Sequence, residues 1–529
     1  MKSLLLLIIP ILICNSIFAQ NVGIGTNTPQ ARLHIQGNAD TSQLVIDAHS
    51  TQGNIRPLIR LRKSDGSDLL WIHSDDSSNI FIGKNAGRTN LTLLNAKGNT
   101  FIGSGAGNKN FTGGNNTAYG MNSLYTNVGG REATAIGYNA MQYAFNSGIS
   151  LSNYNVAVGY EALRGSTDPS ANSGTSNTAI GHQAMLNNTS GQSNTALGTQ
   201  ALIINTTGSY NTANGVNSLS SNDEGSYNTA NGASALHSNT SGNYNTAIGF
   251  QALNINSTGF SNTALGYKAL NNSTIPSYNT AIGESALYNS AGDDNTAIGR
   301  FAGYGAAGVT FTQCTFLGNQ SSISVTRRNV TMVGAFINSA QCTGNNQVLL
   351  GNTAIGQIRA QVTGITSYSD ARFKYNINDN VKGLEFIRRL KPVTYNENPE
   401  MLHNIWGTPD SLLKKIDHSQ IKNQHFIGFL AQDVEKAAIE SGFDFPGIDV
   451  PKNDKEVYSL RYVDFIMPMV KAIQEQQVLL ETLQKQVEAG KAITLQIGQQ
   501  QKIIELTEEL RSEKNKISDL IKRIEALEK

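Results

Sequence analysis

A five-residue phrase, Asn-Thr-Ala-x-Gly, recurs through the middle of the chain at an almost constant step, and it restricts the fold more than any other feature. It begins at Asn177, Asn194, Asn211, Asn228, Asn245, Asn262, Asn279 and Asn295, with related forms at Asn116, Ala133 and Asn155. The step is mostly 17 residues, with two of 22 and one of 16. Weaker copies start at Asn79, Asn99, Cys314, Val330 and Gln347, giving sixteen in all. A short fixed period over this length calls for a solenoid, because one copy is too small to bury an apolar face and stacked copies bury a continuous one. Glycine at the fifth position, as in Gly120 and Gly137, fits a corner that needs a positive φ or a close chain approach. The ninth position is Leu or Met in all ten copies from Asn116 to Asn279, such as Leu124, Met141, Leu163 and Leu287. That predicts a ladder of large apolar side chains. The asparagines also recur in register, so their amides can bond from coil to coil. At about 4.8 Å per coil, sixteen coils predict a rod of roughly 75 Å.

The third and fourth positions are both usually apolar: Ala179 and Ile180, Ala247 and Ile248, Phe101 and Ile102, Phe316 and Leu317. Neighbours on a strand face opposite sides. One side therefore fills the coil, and the other needs a second cover. Another copy of the same chain supplies it economically, in a heterologous ring about the fibre axis. Asn214 and Asn231 would then form polar rings in the stack. The alternative is a monomeric β-solenoid. With their "AIG" cores, the repeats over residues 79–356 resemble the left-handed parallel β-roll heads of trimeric autotransporter adhesins. No C-terminal membrane β-barrel pattern follows, so the chain is not expected to be an autotransporter itself.

Ahead of the repeats, "NVGIGTNTPQARLHI" (21–35) and "PLIRLRKSDGSDLLWIHSDD" (57–76) alternate like strands, with a turn at Ser64–Ser67 around Asp65-Gly66. The first stretch is similar to segments of phage tail-fibre and bacterial fibre proteins. A small β cap over 20–78 is expected. The N-terminus, "MKSLLLLIIPILICNSIFAQ", has Lys2, an apolar core from Leu4 to Ile13 and small Ala19, the pattern of a secretory signal peptide over 1–19. Ile13 stands where a lipidation site at Cys14 would have a small residue, which favours simple secretion. No later stretch is apolar and long enough to span a membrane. A net charge of +1 gives no sign of a nucleic-acid partner. Cys314 and Cys342 do not fall a whole number of repeats apart, so two separate buried thiols are expected.

From residue 367 the composition changes. Asn378 or Asp379 is suited to cap a helix running to about Leu390, with Val381, Leu384, Ile387 and Leu390 on one side. "KPVTYN" (391–396) reads as a strand, and "HFIGFLAQDVEKAA" (425–438) as a strand turning into a helix. A further helix starts near Tyr462 and runs through Pro468 into the tail. There Ile466, Ile473, Leu480 and Val487 are seven apart, as are Ile503, Leu510, Ile517 and Ile524. This is a coiled-coil seam compatible with three strands. The two blocks are out of phase, which predicts a register shift or break near Gly490 and Gly498.

"SDARFKYNI", "FIGFLAQDVE" and "YVDFIMPMVKAIQEQ" occur in that order over about 369–478. Together they resemble the intramolecular chaperone auto-processing domain at the C-termini of phage endosialidases, tailspikes and some fibre proteins. The resemblance implies a domain that assists folding of a trimeric β-fibre and then cuts itself off. It makes Ser369 the nucleophile, Lys374 the base and Tyr368–Ser369 the scissile bond. Residues 397–424, with Trp406, look like a variable insertion. Five residues apart, Ser369 and Lys374 share a face of neither helix nor strand. A bend after Ser369, or a lysine from a neighbouring chain, must bring them together. Asp370 and Arg372 are candidates for capping or pairing, and His425 for assisting the site. Asp293-Asp294 and Asp75-Asp76 read as loop charges rather than glycosidase acids. No metal cluster, phosphate loop or nucleophile elbow is evident, so no cofactor or metal is expected.

The expected fold is mainly β: a trimeric parallel β-roll or solenoid fibre with a small α+β chaperone domain and a C-terminal coiled coil. The expected segments are a signal peptide (1–19), β cap (20–78), β-roll (79–366), auto-processing domain (367–478) and coiled coil (479–529). The expected function is that of a secreted or cell-surface, adhesin-like homotrimeric fibre with an autocatalytic serine endopeptidase, and its cell-surface or glycan ligand is left open. The rivals are a structural fibre that never cuts itself and a prophage tail fibre.

Overall fold

The computed structural model describes residues 22–24, 31, 33–35, 44–49, 53–91, 95–144, 151–339, 341–355, 358, 369–406, 418–454 and 456–527. The expected signal peptide and Tyr368 lie outside these residues. The chain forms two compact units, residues 1–316 with 325–328, and residues 317–324 with 329–529.

The first unit is a parallel β-solenoid closed at its start by a hairpin. Strands Ile59–Arg62 and Asp68–His73 pair antiparallel, and the turn between them is held by the Gly66 N–H donating to Lys63 O at 3.0 Å. Asp68–His73 then pairs antiparallel with Ile80–Ile82, the first strand of the roll. The hairpin thus covers an edge that would otherwise present unpaired backbone groups.

From there the pairing is parallel and follows the repeat. Thr195-Ala196-Leu197 lies on Thr212-Ala213-Asn214, which lies on Thr229-Ala230-Asn231. Each of the sixteen copies has its strand, those of the last two lying in the second unit. Most of these strands are only three residues long, so the period of two decides their faces: the middle alanine points inward and is fully buried, as at Ala196, Ala213 and Ala230. The fourth position points outward, with Ile180 42% and Leu265 43% exposed. Glycine at the fifth position meets both requirements. Gly215 has φ +144°, and a Cβ there would sit 2.6 Å from the backbone of Gly232 in the next coil.

The opposite side of each coil is built by the eighth and ninth positions. Leu202, Leu219 and Leu236 are fully buried. They adopt left-handed φ values of 52°, 49° and 50°, a conformation that costs a non-glycine residue roughly 1–2 kcal/mol. It is offset by coil-to-coil bonds, Leu219 N–H to Ala235 O and Leu236 N–H to Ala252 O, both 3.0 Å, together with complete burial of the side chain.

Two columns of buried asparagine amides run along the axis. At the first repeat position, Asn211 donates from Nδ2 to Gly225 O at 2.8 Å, and its backbone N–H donates to Asn194 Oδ1 at 2.9 Å. At the twelfth, Asn222 donates to Asn205 Oδ1 at 2.7 Å and to Gly225 O at 2.9 Å, and accepts from Asn239 at 2.8 Å. These polar side chains are buried because stacking supplies each with partners. Near the start of the roll, the Asp75 carboxylate receives the amides of Asn54, Asn79 and Asn90.

The core residues also exchange size in register. Where the third position is Phe, as in Phe81 and Phe101, the ninth is Gly87 or Gly107. A Cβ on Gly107 would meet the Phe101 ring at 2.5 Å, and one on Gly87 the Phe81 ring at 2.7 Å. Ala opposite Leu and Phe opposite Gly are two solutions to one packing volume. Cys314 and Cys342 are buried thiols with no disulfide between them.

The second unit contains the parallel pair Val330–Val333 and Gln347–Leu350, a small α/β region and a long helix. Val393–Tyr395 pairs antiparallel with Phe426–Gly428, followed by the helix Ala431–Ser441. Phe386, Val434, Ala437, Ala438, Phe445 and Phe465 form the core. Two expectations need correction. The helix foreseen from Asn378 or Asp379 to Leu390 is only Leu384–Ile387, and its buried side chain is Phe386. Its start is fixed from a distance, by the Leu384 N–H donating to Glu475 Oε2 at 2.7 Å. Gly383 permits that approach, since a Cβ there would lie 2.7 Å from Ala472 N. Nor is there a break at Gly490 or Gly498: one 62-residue helix, Ile466–Leu527, runs through both. Glycine weakens a helix by only about 1 kcal/mol and interrupts no hydrogen bond. Pro468 is tolerated because it lies in the first turn, where the N–H has no intrahelical partner. Among the described residues no helix is long and apolar enough to cross a membrane.

Candidate functional site

Ser369 and Lys374 meet within one local segment. Residues Ala371–Phe373 form a single 3-10 turn. Asp370 caps it, its carboxylate accepting the Arg372 backbone N–H at 2.9 Å. The Lys374 N–H closes the turn on Ala371 O at 3.1 Å. This reversal brings the Lys374 side chain back, and its Nζ donates to Ser369 Oγ at 2.5 Å. The five-residue spacing, unsuited to helix or strand, is the spacing of a capped turn. A bend within one chain therefore suffices to form the pair.

The electrostatics around the pair are local. Arg372 donates through Nε and Nη2 to Asp370 Oδ2, at 2.9 and 2.6 Å. Its hydrogen bonds hold the Asp370 carboxyl below the usual range, and Asp370 in turn raises Arg372. The Asp370 charge is thereby engaged by Arg372. Both Ser369 and Lys374 are exposed. His425 is also exposed, and among the described residues no hydrogen bond joins it to either. Among the described residues no cluster of His, Cys, Asp and Glu is suited to hold a metal.

The remaining sequence blocks form the small domain that follows this segment in the chain. Gly428 is required by contact, because a Cβ would lie 2.2 Å from the Tyr462 hydroxyl. That hydroxyl accepts the Phe429 N–H at 3.0 Å, tying the "FIGF" block to the "YVDF" block. With this arrangement the family can be reported. Residues 369–443 match the family model described as chaperone of endosialidase. The match begins at Ser369 itself. No curated protein matches the chain, and no solved structure does.

Sequence reasoning missed two features. Glu475 caps the helix after the dyad, a contact spanning 91 residues with no local signal. Within the insertion, His403 and His418 are buried with ring centroids 5.2 Å apart, and Thr353 Oγ1 lies 2.9 Å from His403 Nε2. Their spacing in sequence gives no hint of the meeting. The paired aspartates serve local structure: Asp76 accepts from Ser78, and Asp293 from the Ser277 N–H.

Proposed function

We propose that residues 369–529 act as an intramolecular trimerisation chaperone for a secreted, fibre-like β-roll, and release themselves by cutting Tyr368–Ser369. The observation that carries this reading is the Ser369–Lys374 hydrogen bond across a capped turn, at the first residue of a segment matching the chaperone of endosialidase family. The outward rows also support assembly. Ile180, Ile248 and Ile298 on the roll are 42%, 38% and 43% exposed, and Ile473, Leu480 and Val487 on the long helix 65%, 54% and 56%. Such rows need cover, and three identical chains provide it. Closing parallel coils from separate chains is slow, because distant segments must meet before contacts reward them. A helix that holds three C-termini together raises their effective concentration.

In the cut, the lysine acts as base only in its neutral form, which removal of water favours. It takes the Ser369 hydroxyl proton while Oγ attacks the Tyr368 carbonyl carbon. The C–N bond breaks, the Ser369 amine leaves with a proton, and Tyr368 is left as an ester on Oγ. Water hydrolyses the ester, giving a Tyr368 carboxylate and a fragment that begins at Ser369. Because both side chains are exposed in the single chain, assembly has to supply the dry environment, so cleavage reports assembly.

Intact mass and N-terminal sequencing of the expressed full chain test this. Wild type should give a fragment spanning 369–529, and Ser369→Ala, Lys374→Ala and Lys374→Arg should stay whole, since guanidinium remains protonated. Light scattering of the uncut Ser369→Ala variant should give three times the chain mass. An assembled wild-type protein that stays uncut, or a fragment starting elsewhere, would leave the non-cleaving fibre as the correct account.

A further inference from the structure

We infer that Asp370 is a positioning residue for this dyad, acting as the cap of the 371–373 turn and not through its charge. The inference rests on the proposed self-cleavage for its consequence, though not for its geometry. Three observations lead to it. The link between Ser369 and Lys374 is one 3-10 turn, closed by the Lys374 N–H on Ala371 O. Among the described residues one side chain caps that turn, the Asp370 carboxylate at the Arg372 N–H. The second Asp370 oxygen is engaged by the Arg372 guanidinium through two donors.

These facts separate two roles that a carboxylate beside a Ser-Lys pair can play. A charge role would require Asp370 to face the ammonium of Lys374 or the hydroxyl of Ser369. Its oxygens face the Arg372 backbone and guanidinium instead. A capping role requires only that a side-chain oxygen accept the N–H two residues on. Asn and Ser do this about as well as Asp, and Ala cannot. The turn is exposed and short, and apart from this cap it is held among the described residues by its own backbone bonds and the Lys374–Ser369 contact. Without its cap, the chain samples extended conformations in which residues 369 and 374 face apart. The fraction of time spent in the reactive arrangement then falls. Losing a cap typically shifts such an equilibrium on the order of 5-fold.

The test compares Asp370→Ala, Asp370→Asn and Asp370→Ser in the full chain, following cleavage by intact mass in the assembled fraction only. Asp370→Ala should cut roughly 5-fold more slowly, while Asn and Ser stay within about 2-fold of wild type. Equal slowing by Asn and Ala would overturn the inference in favour of charge. An Asp370→Ala variant that cuts at the wild-type rate would overturn it outright.

A second readout does not depend on cleavage. In a Ser369→Cys background, the nearby Lys374 ammonium lowers the thiol pKa, which the pH dependence of iodoacetamide alkylation reports. Adding Asp370→Ala should raise the thiol pKa toward its free value, because Lys374 drifts away. Removing a negative charge alone would lower it, so the sign discriminates between the roles. Asp370→Asn should leave it unchanged or lower it. A thiol pKa that Asp370→Ala leaves unchanged or lowers would sink the capping role even if cleavage slows. If wild type proves uncut while the thiol responds as expected, the self-cleavage reading fails and the capping role stands.

Discussion

The exchange of size between third and ninth positions allows a sharp test of how the roll is packed. Gly107 has φ 56°, close to the 50° of Leu124 one coil later, so the backbone already suits leucine. What forbids leucine is the Phe101 ring, which a Cβ would meet at 2.5 to 2.7 Å. Gly107→Leu alone should therefore overpack and cost about 3 kcal/mol. Phe101→Ala alone empties a fully buried ring site and should cost about 4 kcal/mol. Together the two changes recreate the Ala118–Leu124 pair of the next coil, and move the border between packing types by one coil. The double variant should lie within roughly 1.5 kcal/mol of wild type, as volume-conserving exchanges do. The coupling is then about 5.5 to 7 kcal/mol, well above the usual range for touching residues. Native-state hydrogen exchange read by mass spectrometry over residues 99–133 gives the local opening free energy without requiring reversible unfolding. Additive costs in the double variant would refute the reasoning, because they would mean that each site is constrained by something other than the other's volume.

Further outcomes follow from the same structure. Asn222→Ala leaves Asn205 Oδ1 and one Asn239 N–H buried without a partner, while Gly225 O keeps Asn211. Two such orphans should cost about 2–6 kcal/mol in urea unfolding. Glu475→Ala should destabilise the C-terminal region by about 1 kcal/mol through loss of its cap, with Glu475→Gln largely retaining it; a chevron or melting comparison checks this. His73, set between Trp71 and Phe81, is held below its ordinary pKa of 6.5, mainly by burial. The unfolded imidazole therefore takes a proton that the folded one resists. Stability contributed by neutral His73 is full above pH 6.5 and falls as the pH drops below it. Exchange protection of the 68–82 hairpin should weaken on acidification, and His73→Phe should remove that dependence.

The sequence by itself determined the roll. A 17-residue step, an apolar ladder and asparagines in register admit one architecture, because every stabilising contact repeats between neighbouring copies and is written into the period. The exposed fourth-position row and the inward alanines follow from alternation along a three-residue strand. What the period does not encode is conformation. The left-handed Leu219 and its relatives look, as letters, like ordinary leucines, and only the stacked coil makes that φ worth its cost. The C-terminal region was legible as blocks but not as contacts. Asn378 and Asp379 look like a helix start, yet the cap is Glu475, because a helix packed on another can borrow an acceptor from it. At the dyad, the spacing of Ser369 and Lys374 excluded helix and strand but did not name the turn that joins them. The structure decided that, by making Asp370 the cap of a 3-10 turn, where the sequence had left capping and pairing open for it.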